Sequence, residues 1–132
     1  MTQPLLAATN IVKSFGPTKA LDGANMSVRA GEVVAVMGPS GSGKSTMLHC
    51  LAGIIQPDAG TVMYDGKELS AMPDHPRSTL RRTEFGFVFQ FGQLVPELSC
   101  VENVALPMRL DGMKRRDAEA RARKWLDRKS VV

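Results

Sequence analysis

Over the first thirty residues the apolar positions recur with a period of two. Residues 6–15 and 24–28 read as strands, with Ala24, Met26 and Val28 alternating against polar neighbours. The turn Arg29-Ala30-Gly31-Glu32 leads into Val33-Val34-Ala35-Val36-Met37, an unbroken apolar run that predicts a fully buried strand. The period then changes: Met47, Leu48, Leu51, Ala52 and Ile55 fall at helical spacing and predict a helix over 44–55. Pro57-Asp58-Ala59-Gly60 is a turn, residues 61–64 are a short strand, and Asp65-Gly66 is a second turn. Residues 70–76 hold two prolines and read as loop, with a short helix over 76–83. Residues 85–89 (Phe-Gly-Phe-Val-Phe) are a second apolar strand, with Gln90 at its end. Ser99 followed by Glu102 has the capping-box spacing for a helix over about 100–106. Asp111-Gly112 breaks it, and a last helix runs from about 114 to 127, with Ala118, Ala122 and Trp125 on one stripe.

The junction between the run 33–37 and the first helix carries the chemistry. Residues 38–46 read G-P-S-G-S-G-K-S-T and fit G-x-x-x-x-G-K-[ST], with Gly38, Gly43, Lys44 and Ser45 at the fixed positions. Glycines let the backbone turn tightly so that its N–H groups converge on an anion. Lys44 supplies a flexible point charge for β- and γ-phosphates. The Ser45 hydroxyl suits Mg²⁺, which keeps most of its waters. The helix that follows adds its positive dipole end and unpaired amides. Strand, glycine loop, helix is the order a phosphate cradle requires; a flexible Gly/Ser turn is the bland alternative.

Composition changes this picture little. At 132 residues and 43% hydrophobic, the chain is ordinary globular material for a single domain. It has no apolar run of 18 residues, and its N-terminus does not have the form of a secretory signal. Cys50 and Cys100 fit reduced thiols, with no Cys/His cluster to suggest zinc. The net charge of +4 is concentrated at 109–129, where nine Lys/Arg outnumber four acids. Trp125 is the one aromatic among them, which favours a solvated helix face over a nucleic-acid site.

In sum the residues resemble the N-terminal part of an ABC transporter ATP-binding subunit, over about residues 5–127. "NIVKSFG" (10–16), "GEVVAVMGPSGSGKSTMLHCLAGIIQPDAGTVMYDG" (31–66) and "FGFVFQFGQLVPELSCVENVALPM" (85–108) match that family's landmarks in order. The last of these is most similar to the branch serving lipoprotein release, macrolide efflux and cell division. The resemblance implies an α/β fold: a P-loop NTPase core with an incomplete parallel sheet, preceded by an N-terminal antiparallel β subdomain. The β subdomain and core would occupy about 5–90, and the start of a helical subdomain about 91–129.

It also implies roles. Phe15 would stack on adenine, unless it is a core aromatic. Gly38, Ser40, Gly41, Ser42, Gly43, Lys44, Ser45 and Thr46 would wrap the phosphates of ATP, with Ser45 on Mg²⁺. Gln90 would reach the metal and the attacking water, unless it is a strand-end surface amide. His49 and His75 do not sit where the family keeps its switch histidine. The family's Leu-Ser-Gly-Gly-Gln run does not occur in these residues, nor does an apolar strand ending in Asp-Glu after Gln90. The expectation is therefore a chain that clamps phosphate but carries no carboxylate base. Strands of the kind found at 33–37 and 85–89 would then have open edges and exposed Val, Phe and Met.

Three functions follow for testing. The first is an energy-coupling ATPase that pairs with a second ATP-binding subunit and with integral membrane permease subunits, peripherally on the cytoplasmic face of the inner membrane. The second is a nucleotide-binding remnant that hydrolyses nothing. The third is a P-loop ATPase or small-molecule kinase outside transport. No nucleic acid is expected as a partner.

Overall fold

A computed structural model describes residues 3–128. The chain divides into two compact units, Met1–Arg81 and Arg82–Val132.

The first unit is built on a four-stranded antiparallel sheet of β1 (Leu6–Phe15), β2 (Thr18–Val28), β3 (Ala59–Tyr64) and β4 (Lys67–Glu68), in the order β2-β1-β3-β4. The β1–β2 hairpin closes at Phe15↔Thr18, which extends β2 well beyond the expected 24–28. Pairing with β1 recruits residues 18–23 although they lack clean alternation. One face is covered by α1 (Lys44–Leu51), which packs against β1 and β2. Ala8, Ile11, Leu21, Met47, Cys50, Leu51 and Val62 are buried.

Helix α1 stops at Leu51 rather than at Ile55. The amide of Ile54 donates to the carbonyl of His49, and that of Gly53 to Cys50, with Gly53 at φ +76°. This pair of bonds satisfies the last carbonyls and turns the chain. A 3₁₀ turn, Leu69–Ala71, buries Leu69, and its Ser70 hydroxyl accepts the Val62 amide at 3.0 Å. Residues 74–76, expected as loop, open α2 (Asp74–Glu84). Pro76 is tolerated there because first-turn amides have no intrahelical acceptor.

The two core strands expected from the apolar runs are not formed. Residues 33–37 and 85–89 lie outside the one sheet found among the described residues. Val33 is 95% exposed and Met37 88%, and Val88 is fully exposed, so the first run is not the buried strand its composition predicts. A parallel strand is held by neighbours at its edges and cover on both faces. The described residues provide no sheet neighbour for either run.

In the second unit, α3 (Cys100–Leu110) packs on α4 (Arg115–Asp127). The capping box is present: the Ser99 hydroxyl accepts the Glu102 amide at 3.1 Å, and the Glu102 carboxylate accepts the Ser99 amide at 3.0 Å. The same amide, then the Ser99 hydroxyl, holds the Glu102 carboxyl below its ordinary pKa. Ala105, Ala118 and Ala122 are fully buried and bring the helices close, with Val101, Val104, Met108 and Met113 around them. Trp125, expected on the same stripe, is 57% exposed, and the Arg128 guanidinium lies 4.3 Å from its ring centroid.

Candidate nucleotide site

The loop 38–43 leads into α1, and Gly43 is the residue that joins them. It sits at φ +93° as the N-cap of α1. A methyl there would lie 2.6 Å from the Ala20 carbonyl oxygen and 3.0 Å from Leu21 Cδ2. The glycine therefore lets the start of α1 rest against the backbone of β2. Within the loop, the Ser42 amide donates to the Pro39 carbonyl at 3.2 Å, and Gly41 takes φ +81°. A Cβ on Gly38 would come 2.8 Å from Ser42 Oγ. The first-turn amides of α1, at Lys44, Ser45 and Thr46, have no intrahelical acceptor and open at this end of the helix.

Lys44 bends back over the loop it follows. Its ammonium donates to the Gly38 carbonyl, to the Pro39 carbonyl at 2.6 Å and to Ser42 Oγ at 3.3 Å. The charge is thus held at the loop by its oxygens, on a flexible stem that can turn to an anion. Ser40, Gly41, Ser42 and Ser45 are exposed, and Thr46 is half-buried. A hydroxyl at Ser45, on the first helical turn, fits a metal that takes few protein ligands. No group of three or more His, Cys, Asp or Glu suited to a metal occurs among the described residues.

A cavity of about 520 Å³ lies beside the loop, lined by Leu21, Met26, Val34, Met37, Lys44 and Met47 among others. Its walls are mostly apolar, and Gly38, Pro39, Ser42 and Gly43 of the loop form one side of it together with Lys44, its one charged lining residue. The polar face of the loop is the phosphate candidate.

Phe15 ends β1 in the same unit. It is 49% exposed, not a core aromatic, with the Lys13 ammonium 5.4 Å from its ring centroid. Gln90 is exposed and belongs to the second unit, just after Phe89. His49 lies inside α1, and His75 is exposed in α2.

Two groupings escape a reading of the sequence. Asp58 binds the end of β1, its carboxylate accepting the Ser14 amide at 2.8 Å and the Lys13 ammonium at 3.4 Å. Asn103 organises the segment between Gln90 and α3. Its amide donates to the carbonyls of Val95, Leu98 and Ser99 at 3.0–3.2 Å, and its side-chain oxygen accepts the Val95 amide at 2.8 Å. An Asn four residues after the cap Ser is a weak signal for such a bracket.

No helix among the described residues is long and apolar enough to cross a membrane. Residues 21–131 match the family described as ABC transporter. The lipoprotein-releasing system ATP-binding protein LolD 2 of Caulobacter vibrioides is 42% identical over 131 residues, covering 96% of this chain and 58% of that protein. LolD of Cereibacter sphaeroides is 49% identical over 117 residues, covering 88% and 52%. Among solved structures, the dimeric bacterial ABC transporter cassette MJ0796 matches with a TM-score of 0.83 at 34% identity, over 90% of this chain and 54% of that one. The post-hydrolysis dimer of the same cassette, bound to ADP and Pi, matches at 0.81 and 35%. The chain spans about half the length of the relatives it matches. By these likenesses the chain belongs to the ABC transporter ATP-binding family.

Proposed function

We propose that this chain binds MgATP through the loop 38–46 and serves as the nucleotide-binding part of an ABC system for release or export of a substrate. The observation that carries the reading is the Lys44 ammonium drawn back onto the oxygens of its own glycine loop, at the start of a helix seated on β2. Gly38, Ser40, Gly41, Ser42, Gly43 and Thr46 wrap the phosphates. Lys44 meets the β- and γ-phosphates, Ser45 ligates Mg²⁺, and Phe15 stacks on adenine. Gln90 contributes to the metal and to the attacking water. Mg²⁺ supplies charge neutralisation of the polyphosphate. In the working assembly a second ATP-binding subunit completes the site. Permease subunits in the inner membrane receive its motion, with this subunit on their cytoplasmic face. The kinship with lipoprotein-releasing ATP-binding proteins supports an export or extraction role.

A second reading is that these 132 residues bind nucleotide without hydrolysing it. Phosphoryl transfer rests on positioning and charge stabilisation together with a water-orienting group. Turnover no higher than that of Lys44→Ala supports this second reading; turnover clearly above it rejects it.

Binding itself is tested by titrating the chain with MgATP and with adenosine. Lys44→Ala is expected to weaken ATP about ten- to hundredfold, as loss of a charge-assisted bond to phosphate would. Adenosine binding should be unchanged. Equal weakening of both ligands, or of neither, would sink the assignment of Lys44 to phosphate.

A further inference from the structure

The tip of β1 is held by an arrangement that the phosphate loop does not use. Beyond Val12↔Ala59 the pairing of β1 with β3 ends, and the ladder to β2 slips between Lys13 and Ser14. Across this weak point lies Asp58. Its amide donates to the Val12 carbonyl at 2.8 Å, one carboxylate oxygen accepts the Ser14 amide, and the other accepts the Lys13 ammonium. One residue thus grips three consecutive positions of β1 just before Phe15. Lys13 and Phe15 are two apart on a strand, so their side chains share a face. The lysine side chain is only 18% exposed, and its ammonium stands over the phenyl ring.

We infer that Asp58 and Lys13 form a clasp that orients the Phe15 ring and closes one of its faces, which makes Lys13 a positioning residue for nucleobase recognition. The inference rests on the reading of Phe15 as the nucleobase platform. A bare phenyl ring presents two negative faces. An ammonium on one face occupies it and draws the ring's electron density toward itself. The opposite face is then the one left for stacking, and it suits an electron-rich base such as a purine. The anchor at Asp58 keeps the lysine from following its strong preference for water.

The test uses the full chain, titrated with MgATP and with inorganic tripolyphosphate and Mg²⁺, a probe with no base. Phe15→Ala is expected to weaken ATP about tenfold and to leave tripolyphosphate unchanged. Lys13→Met should weaken ATP about threefold with the same selectivity, and Lys13→Arg should restore it. The double variant Phe15→Ala/Lys13→Met should bind ATP no worse than Phe15→Ala alone. Asp58→Asn keeps an acceptor for Ser14, removes the ion pair, and should shift the ATP-to-tripolyphosphate ratio in the direction of Lys13→Met. If Phe15→Ala changes that ratio and Lys13→Met does not, the clasp inference is overturned and the platform reading stands. If Phe15→Ala leaves the ratio unchanged, the platform reading itself fails. A Lys13→Met variant that weakens both ligands alike, or that unfolds while Lys13→Arg also fails to restore the ratio, reduces Lys13 to a structural role and overturns the inference.

Discussion

Replacing Gly43 with alanine is expected to lower ATP affinity by at least tenfold. The position combines two costs. Its φ of +93° is disfavoured for any residue with a Cβ, by about 1–2 kcal/mol. The new methyl would also lie 2.6 Å from the Ala20 carbonyl oxygen, and backbone cannot rotate away as a side chain does. Overpacking of this kind adds about 1–3 kcal/mol. The cheapest relief is to lift the first turn of α1 off β2, which moves the amides of Lys44, Ser45 and Thr46 relative to the loop. The control is Gly41→Ala, at φ +81° with no atom within 4 Å of the new Cβ, so that only the conformational cost applies. Titration with MgATP separates them. Equal loss in the two variants would show that the contact between Gly43 and Ala20 does not shape the site.

Gly60→Ala is expected to be the most destabilising single-methyl change in the sheet. Its Cβ would fall 2.3 Å from the Asn10 carbonyl oxygen and 2.6 Å from that of Thr9, at φ +92°. Here β1 bulges: its register with β3 slips between Thr9 and Val12, and Asn10 takes φ +51°. The bulge is secured from the other side, where the Asn25 side-chain oxygen accepts the Asn10 amide at 2.9 Å. Neither strand can yield without losing ladder bonds, so the conformational and packing costs sum to about 2–5 kcal/mol. Gly66→Ala, at φ +79° with open space around it, should cost about 2 kcal/mol less. Urea unfolding of both variants measures the difference, and matched midpoints would refute the close approach at Gly60.

What could be read from the sequence was local. The helix that begins after Gly43 and the Ser99/Glu102 box are defined by residues within a few positions of one another, and both take the form their spacing implies. So does the strand that ends at Phe15. The reading failed where the outcome depends on distant neighbours. Five consecutive apolar residues at 33–37 state a wish for cover, and Val33 and Met37 lie exposed because no described strand pairs beside them. The grip of Asp58 on β1 joins residues 44 and 45 apart, a separation at which no pattern links an aspartate in a turn to a strand end. Asn103 is similar on a shorter scale, since its three carbonyl partners exist only once the 95–99 segment has curled around it.

Asp58 also bears on how the chain responds to acid. The Ser14 amide, and after it the Lys13 ammonium, holds the Asp58 carboxyl below its ordinary pKa. A carboxyl depressed in this way stabilises the fold fully above its unfolded pKa, and the contribution is lost as pH falls through the depressed folded value. Across the neutral range the carboxylate end of the clasp therefore keeps its charge. A phosphate's last ionisation, near about pH 6, does fall close to that range. Drift of nucleotide affinity with mild acidity would then originate at the polyphosphate, in protons carried by the ligand, while the aromatic end stays indifferent.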